Sequence, residues 1–152
     1  KNSLKNAINN NKKLMTYATQ QDLIDRFSES ELIQLTDRQN LGVIDVTVLD
    51  MAIADASAEI DGYLSAYPLP LAVIPDVLTL KCCDIARYNL YDDHAPEHIE
   101  KRYDKAIKYL EQVASGKIGL GVDSAGQQPV AAENAVMESG GRVFGRDDNG
   151  FL

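Results

Sequence analysis

YPLPLAVIPDVLTLKCCDIARYNLY, residues 67–91, is the stretch whose reading decides the fold. Pro68, Pro70 and Pro75 each fix φ near about −65° and lack an N–H donor, so residues 67–75 do not form regular helix. Proline is welcome where a helix begins, and Pro75 marks the start of a new one. From there to Tyr91, apolar or small side chains stand at Val77, Leu78, Leu80, Cys82, Cys83, Ile85, Ala86, Tyr88, Leu90 and Tyr91. A one-sided surface helix needs only about three or four apolar positions per two turns. This helix therefore requires burial on two sides. It is either the centre of a bundle or shared between a core and a subunit contact. The proline turn before it sets its angle to the helix upstream.

Upstream of the turn, three more helices are legible. Thr19 and Asp22 form a capping-box pattern ahead of a helix over 20–27, with Leu23, Ile24 and Phe27 turned inward. Ser28, with Glu31 three residues on, is read as the cap of a helix over 29–36, and Asp37 to Gly42 as a loop. Asp45 is a strong N-cap for a helix over 46–64. Its apolar or small positions Val46, Leu49, Ile53, Ala56, Ile60 and Tyr63 step by three and four. Ala52, Ala54, Ala56, Ser57 and Ala58 make its middle thin, which lets a neighbouring helix approach closely.

Downstream, the over-apolar helix is expected over 76–92, ended by Asp92, Asp93 and His94. Pro96 opens a last helix over 96–115, with Ile99, Tyr103, Ala106, Leu110 and Val113 as its stripe and Gly116 as its stop. The expected fold is all-α, a small bundle of four to five helices occupying residues 15–115. Residues 116–152 hold eight of the ten glycines and show no sustained period. They read as a flexible C-terminal arm with apolar islands at Ile118, Leu120 and Val122, at Arg142, Val143 and Phe144, and at Phe151 and Leu152. Residues 1–14 are Asn/Lys-rich and read as a disordered basic leader. Met15 resembles a natural start, so the leader is read as a cloning remnant or as a basic arm for an acidic partner.

Charge narrows the partners. The 152 residues carry a net charge of −8. Lys1, Lys5, Lys12 and Lys13 are the only charges in the leader, so the rest of the chain carries −12. Such a body repels a nucleic-acid backbone, which argues against ordinary DNA binding and is compatible with a duplex sliding past. Asp50, Asp55, Glu59 and Asp61 give the third helix a negative character, and a solvated helix face is the plain reading of that series. No run of about 18 apolar residues is present to span a membrane, and residues 1–14 hold no apolar signal region. Cys82 and Cys83 are adjacent on a helix, where they point about 100° apart and make a poor disulfide pair. They read as small buried hydrophobes in a reducing compartment.

His94, Glu97 and His98 match the H-x-x-E-H pattern of a zinc hydrolase. Pro96 breaks it, because the residue before a proline is pushed out of the α region and the two histidines then lose their common face. Asp147 to Gly150 lacks the spacing of a calcium loop, and Gly119 to Gly126 lacks the Lys-Ser/Thr pair of a phosphate loop. No catalytic residue, metal ligand or cofactor site is expected.

Three segments together resemble a known family. They are MTYATQQDLIDRFSESELIQLTD at 15–37, DGYLSAYPLPLAVIPDVLTLKCCDIARYNLY at 61–91 and RYDKAIKYLEQVASGKIGLG at 102–121. They look like the Mu-like phage and prophage neck proteins, which are similar to the head–tail connector (head-completion) proteins of tailed phages. The resemblance covers roughly residues 15–120, and the tail joins it loosely through Arg142, Val143, Phe144 and Arg146. It implies an all-α protein without catalysis or cofactor. It further implies a homo-oligomeric ring, dodecameric in the virion, seated below the portal and extending the DNA channel. The portal protein and a tail or stopper protein are the implied partners. Assembly is expected in the host cytoplasm, with the virion neck as the final location. On that reading Leu78, Leu80, Cys83, Leu90, Arg142, Val143 and Phe144 are candidate subunit or portal contacts. Asp50, Asp55, Glu59 and Asp61 are candidate channel-facing acids. The alternative from another class is a small acidic helical adaptor or regulator acting as monomer or dimer.

Overall fold

The structure, a computed structural model, describes residues 15–91 and 94–121. Five helices follow in order: α1 Gln20–Phe27, α2 Glu29–Thr36, α3 Val46–Tyr63, α4 Asp76–Asn89 and α5 Glu97–Ala114. No strand occurs among the described residues, so the fold is all-α. The expected leader (residues 1–14), Asp92, Asp93 and the arm beyond Gly121 lie outside the described residues.

Local chemistry explains most boundaries. Thr19 accepts from the Asp22 N–H, and the Asp22 carboxylate accepts the Thr19 N–H at 2.8 Å, a complete capping box. The Thr19 hydroxyl also donates to that carboxylate at 2.7 Å, and this bond and the one from the Thr19 N–H hold the Asp22 carboxyl below the usual carboxylate range. Asp45 Oδ1 accepts from the N–H groups of Thr47 and Val48 and starts α3. Pro75 and Pro96 occupy the N-cap positions of α4 and α5, one residue before each helix begins. Two expectations need correction. Ser28 makes no side-chain cap to α2; it sits at φ 72°, in the left-handed region, and its Oγ faces that of Ser30 at 3.3 Å. The hydroxyl thus meets a side chain of the first turn instead of its backbone N–H groups. The fourth helix ends at Asn89 rather than at 92. Leu90 N–H turns toward the carbonyls of Ala86 and Arg87, and this tightened turn stops the helix.

α4 is the centre of the bundle. It packs against α3, α5 and α1. Leu78, Cys82, Cys83, Ile85 and Ala86 are fully buried by these neighbours. The two-sided burial required by the sequence is therefore met inside the chain. The thin middle of α3 works as expected: Ala52, Ala56 and Ser57 are buried, and Ser57 Oγ lies 3.5 Å from Cys82 Sγ. Ser57 Oγ donates back to the Ile53 carbonyl at 2.8 Å and accepts the Tyr17 N–H at 3.2 Å, so this buried hydroxyl is satisfied. Both cysteines are free and buried, and burial pushes the Cys83 thiol up to about 12. Val46, read as part of the α3 stripe, is exposed instead, because the first turn of α3 overhangs the core.

α3 and α5 run parallel to each other, with α4 antiparallel between them. The side-chain pairs record this: Tyr103 reaches Glu59, and further along Tyr109 feels Tyr67. The core does not stop where α5 ends. Ile118 packs against it and Leu120 is buried within it, so the core runs past Ser115 and takes in these two residues of the expected arm, while Val122 lies outside the described residues.

Candidate interaction surfaces

The four acids of α3 do not form one face. Asp50 and Asp61 are eleven residues apart, about three full turns, and share one flank; Asp55 and Glu59 share another, roughly 150° away. Tertiary bonds draw three of them in. Gln20 Nε2 donates to Asp50 Oδ1 at 2.7 Å, Tyr103 Oη donates to Glu59 Oε1 at 2.9 Å, and the Tyr17 hydroxyl donates to Asp61. Asp50 and Asp55 remain exposed; Glu59 and Asp61 are half-buried. The negative character of α3 is thus divided between two sides of the helix.

The candidate contacts on α4 also resolve. Leu78, Cys83 and Leu90 are buried in the chain's own core and present no side-chain surface to a neighbour. Leu80 is half-buried and keeps an outer edge. Arg142, Val143 and Phe144 lie outside the described residues.

A charged cluster ties α1, α2, α4 and α5 together. Arg87 Nε donates to Glu31 Oε1 at 2.8 Å, and Tyr91 Oη donates to the same oxygen at 3.3 Å. The Arg87 guanidinium lies 4.4 Å from the centre of the Phe27 ring, with Arg102 further off at 5.9 Å. Beside them is Asp84, only 6% exposed. Arg102 Nε stands 3.1 Å from Asp84 Oδ1 but off the line of a hydrogen bond, so that oxygen accepts none. Burial raises the Asp84 carboxyl above the usual range, and Arg102 opposes the shift. Nearby, Tyr88 and Tyr103 stack with ring centres 4.2 Å apart.

His94, Glu97 and His98 are all exposed at the start of α5. Because α5 begins at Glu97, His94 precedes the helix, as Pro96 dictates. Among the described residues, no group of three His, Cys, Asp or Glu could hold a metal ion.

The sequence reading passed over the most exposed apolar side chains. Leu41 is 69% and Val43 56% exposed, Val46 joins them at the start of α3, and Met51, also 61% exposed, follows within α3. Leu41, Val43 and Val46 line a hollow of about 210 Å³ with Asp37 and Asp45. Their loop is firmly built. Asp37 accepts the N–H of Leu41 at 3.0 Å and of Gly42 at 2.6 Å. Those bonds hold its carboxyl below the usual range. Thr36 Oγ1 accepts the Asp45 N–H at 3.0 Å and donates to the Leu32 carbonyl at 2.8 Å. Asn40 and Gly42 supply the two left-handed backbone positions, at φ 55° and 75°. A second bare apolar pair, Leu69 and Val73, sits on the proline turn beyond the other end of α3. The 18 residues of α3 separate the two patches by about 27 Å along its axis. The signal available in the sequence was the pair of large aliphatics, Leu41 and Val43, on either side of Gly42 in the loop between α2 and α3.

The fold is thus a small all-α bundle with bare aliphatic side chains at both ends of its third helix. The comparisons place it more closely. Residues 17–139 match the family model described as Bacteriophage Mu, Gp36. The chain belongs to this phage family. It is 37% identical over 141 residues to the Mu-like prophage FluMu protein gp36 of Haemophilus influenzae, and 39% identical over 141 residues to gene product J of Escherichia phage Mu. Each match spans 91% of this chain and the whole of the relative.

Proposed function

We propose that this phage protein is a structural head–tail connector. In this reading copies of the chain form a ring below the portal, extend the DNA channel and offer the tail or stopper protein its seat. The protein is then a component of the virion neck and not an enzyme. The observation that carries the reading is the pair of aliphatic patches at opposite ends of the bundle, in a chain of a phage family. Two different patches on one protomer suit a head-to-tail contact, which closes into a ring when its rotation allows. The net charge of −8 suits a wall that DNA slides along without adhering. Asp55, exposed and outside the bonds that draw in its three neighbours, is the acid of α3 best suited to face such a channel.

Native mass measurement and negative-stain microscopy of the full chain, alone and with its portal protein, test the proposal. A ring, or assembly on the portal, is the expected result. A strict monomer or dimer even with portal present overturns it and favours a small adaptor or regulator.

A further inference from the structure

The hollow at Leu41, Val43 and Val46 has a defined chemistry. Leu41, Val43, Ile44 and Val46 give it an aliphatic lining, Asp37 and Asp45 lie among them, and no Lys or Arg lines it. The N–H groups of Leu41, Gly42 and Asp45 are already held by Asp37 and Thr36, so a ligand gains the apolar contact on a loop with its shape in place. The occupant it fits is a short apolar segment flanked by positive charge.

The chain contains one such segment beyond Gly121. In the last 31 residues the only cations are Arg142 and Arg146, and Val143 and Phe144 lie between them. This order, base–aromatic–base, is complementary to the acid–aliphatic–acid order of the hollow. Asp147 and Asp148 follow at once and mark the end of the complementary stretch. We infer that the hollow is the docking socket for residues 142–146 of a second copy of this chain.

The connector reading favours the second copy over the same one. α3 and α5 are parallel, so α5 ends at the side of the bundle away from the socket. A helix that leads toward residues 142–146 from one side and a socket at the other suit the heterologous arrangement that links copies in series. The inference rests on the connector reading, to which it supplies the contact between copies.

Disulfide trapping between two full-length variants tests it. One carries Val43→Cys and the other Val143→Cys; native Cys82 and Cys83 are buried and do not compete. Mixing the two should give a covalent dimer at least about fivefold more abundant than either variant alone. Adding Arg142→Glu and Arg146→Glu to the second variant should remove most of it. No mixed dimer overturns the inference, as does a yield matched by a control cysteine at Ser115. A bond formed only when both cysteines share one chain overturns the second-copy assignment. The two readings separate on the portal. A ring that forms there with the double Arg→Glu chain, without trapping, defeats the docking and spares the connector. Trapping without any ring or portal assembly does the reverse.

Discussion

The Tyr17 hydroxyl donates to the Asp61 carboxylate, joining residues 44 positions apart. Together with the bond from the Tyr17 N–H to Ser57 Oγ, it clips the segment ahead of α1 onto the second half of α3. Burial and the neighbouring carboxylate both hold the phenol in its neutral form and push its ionisation well above that of a free tyrosine. Tyr17→Phe keeps the ring in the core and removes the bond. Asp61, half-exposed, recovers water, so the expected loss is about 1 kcal/mol of unfolding free energy. Urea denaturation of the two chains measures it.

The same phenols set the alkaline limit of the fold. Burial and Glu59 push Tyr103 up to about 12, from a free value of 10.0. A folded-state pKa above the unfolded one favours the protonated form in the native state. The stability it contributes is present below pH about 10 and lost as pH rises through the folded value. Helix content should fall between pH about 10 and 12, in step with the ultraviolet signature of tyrosinate. Tyrosine ionisation that finishes well before the helix signal changes would contradict the assignment.

Asp84 has the opposite sense. Its carboxyl is raised from 3.8 by burial, so the unfolded chain releases the proton more easily. Stability is then lost as pH rises from the unfolded value through the folded one. Asp84→Asn should raise the melting temperature at pH 7, with the gain vanishing as pH falls below 3.8. Arg102, 48% exposed, tolerates the loss of its partner in water. A variant that melts lower at pH 7 would show that Arg102 outweighs the burial of the charge.

Helix number, helix starts and the buried stripes of α3, α4 and α5 were legible because periodicity, caps and prolines are local signals. The destinations of charged side chains were not. Nothing near Asp61 or Glu59 in sequence announces Tyr17 or Tyr103, each 44 positions away. The resemblance placed Leu78, Cys83 and Leu90 at a subunit contact, but three neighbouring helices of the same chain had already claimed them. An over-apolar helix announces how much burial it needs, and not which molecule supplies it. The loop at Leu41 was hidden for a related reason. Its order depends on Asp37, an ordinary turn residue until its carboxylate is seen to hold two backbone N–H groups.

The capping box at Thr19 predicts a local effect. Thr19→Ala removes the acceptor for the Asp22 N–H and the hydroxyl bond to the Asp22 carboxylate, which keeps the backbone N–H of residue 19. The expected loss is about 1 kcal/mol, within the usual range for a cap. Because the cap holds the Asp22 carboxyl low, its stabilisation is present above the unfolded value of 3.8 and lost as pH falls through the folded one. The difference between the two chains should therefore shrink in acid, which thermal melts at pH 7 and pH 3 compare directly.

Leu78 and Val43 separate folding from contact. Leu78 is fully buried where α4 meets its neighbours. Leu78→Ala removes that packing and leaves a cavity, so a loss of about 2–5 kcal/mol is expected. Val43 is 56% exposed and its loop is held by backbone bonds that do not involve its side chain. Val43→Ser should therefore change unfolding free energy by no more than about 0.5 kcal/mol. In the association assays the order reverses for folded protein: Val43→Ser weakens the contact between copies while leaving the melt unchanged. Chemical denaturation and native mass measurement on the same two samples read both effects. A Val43→Ser chain that unfolds as readily as Leu78→Ala would place Val43 in the fold and remove it from the contact surface.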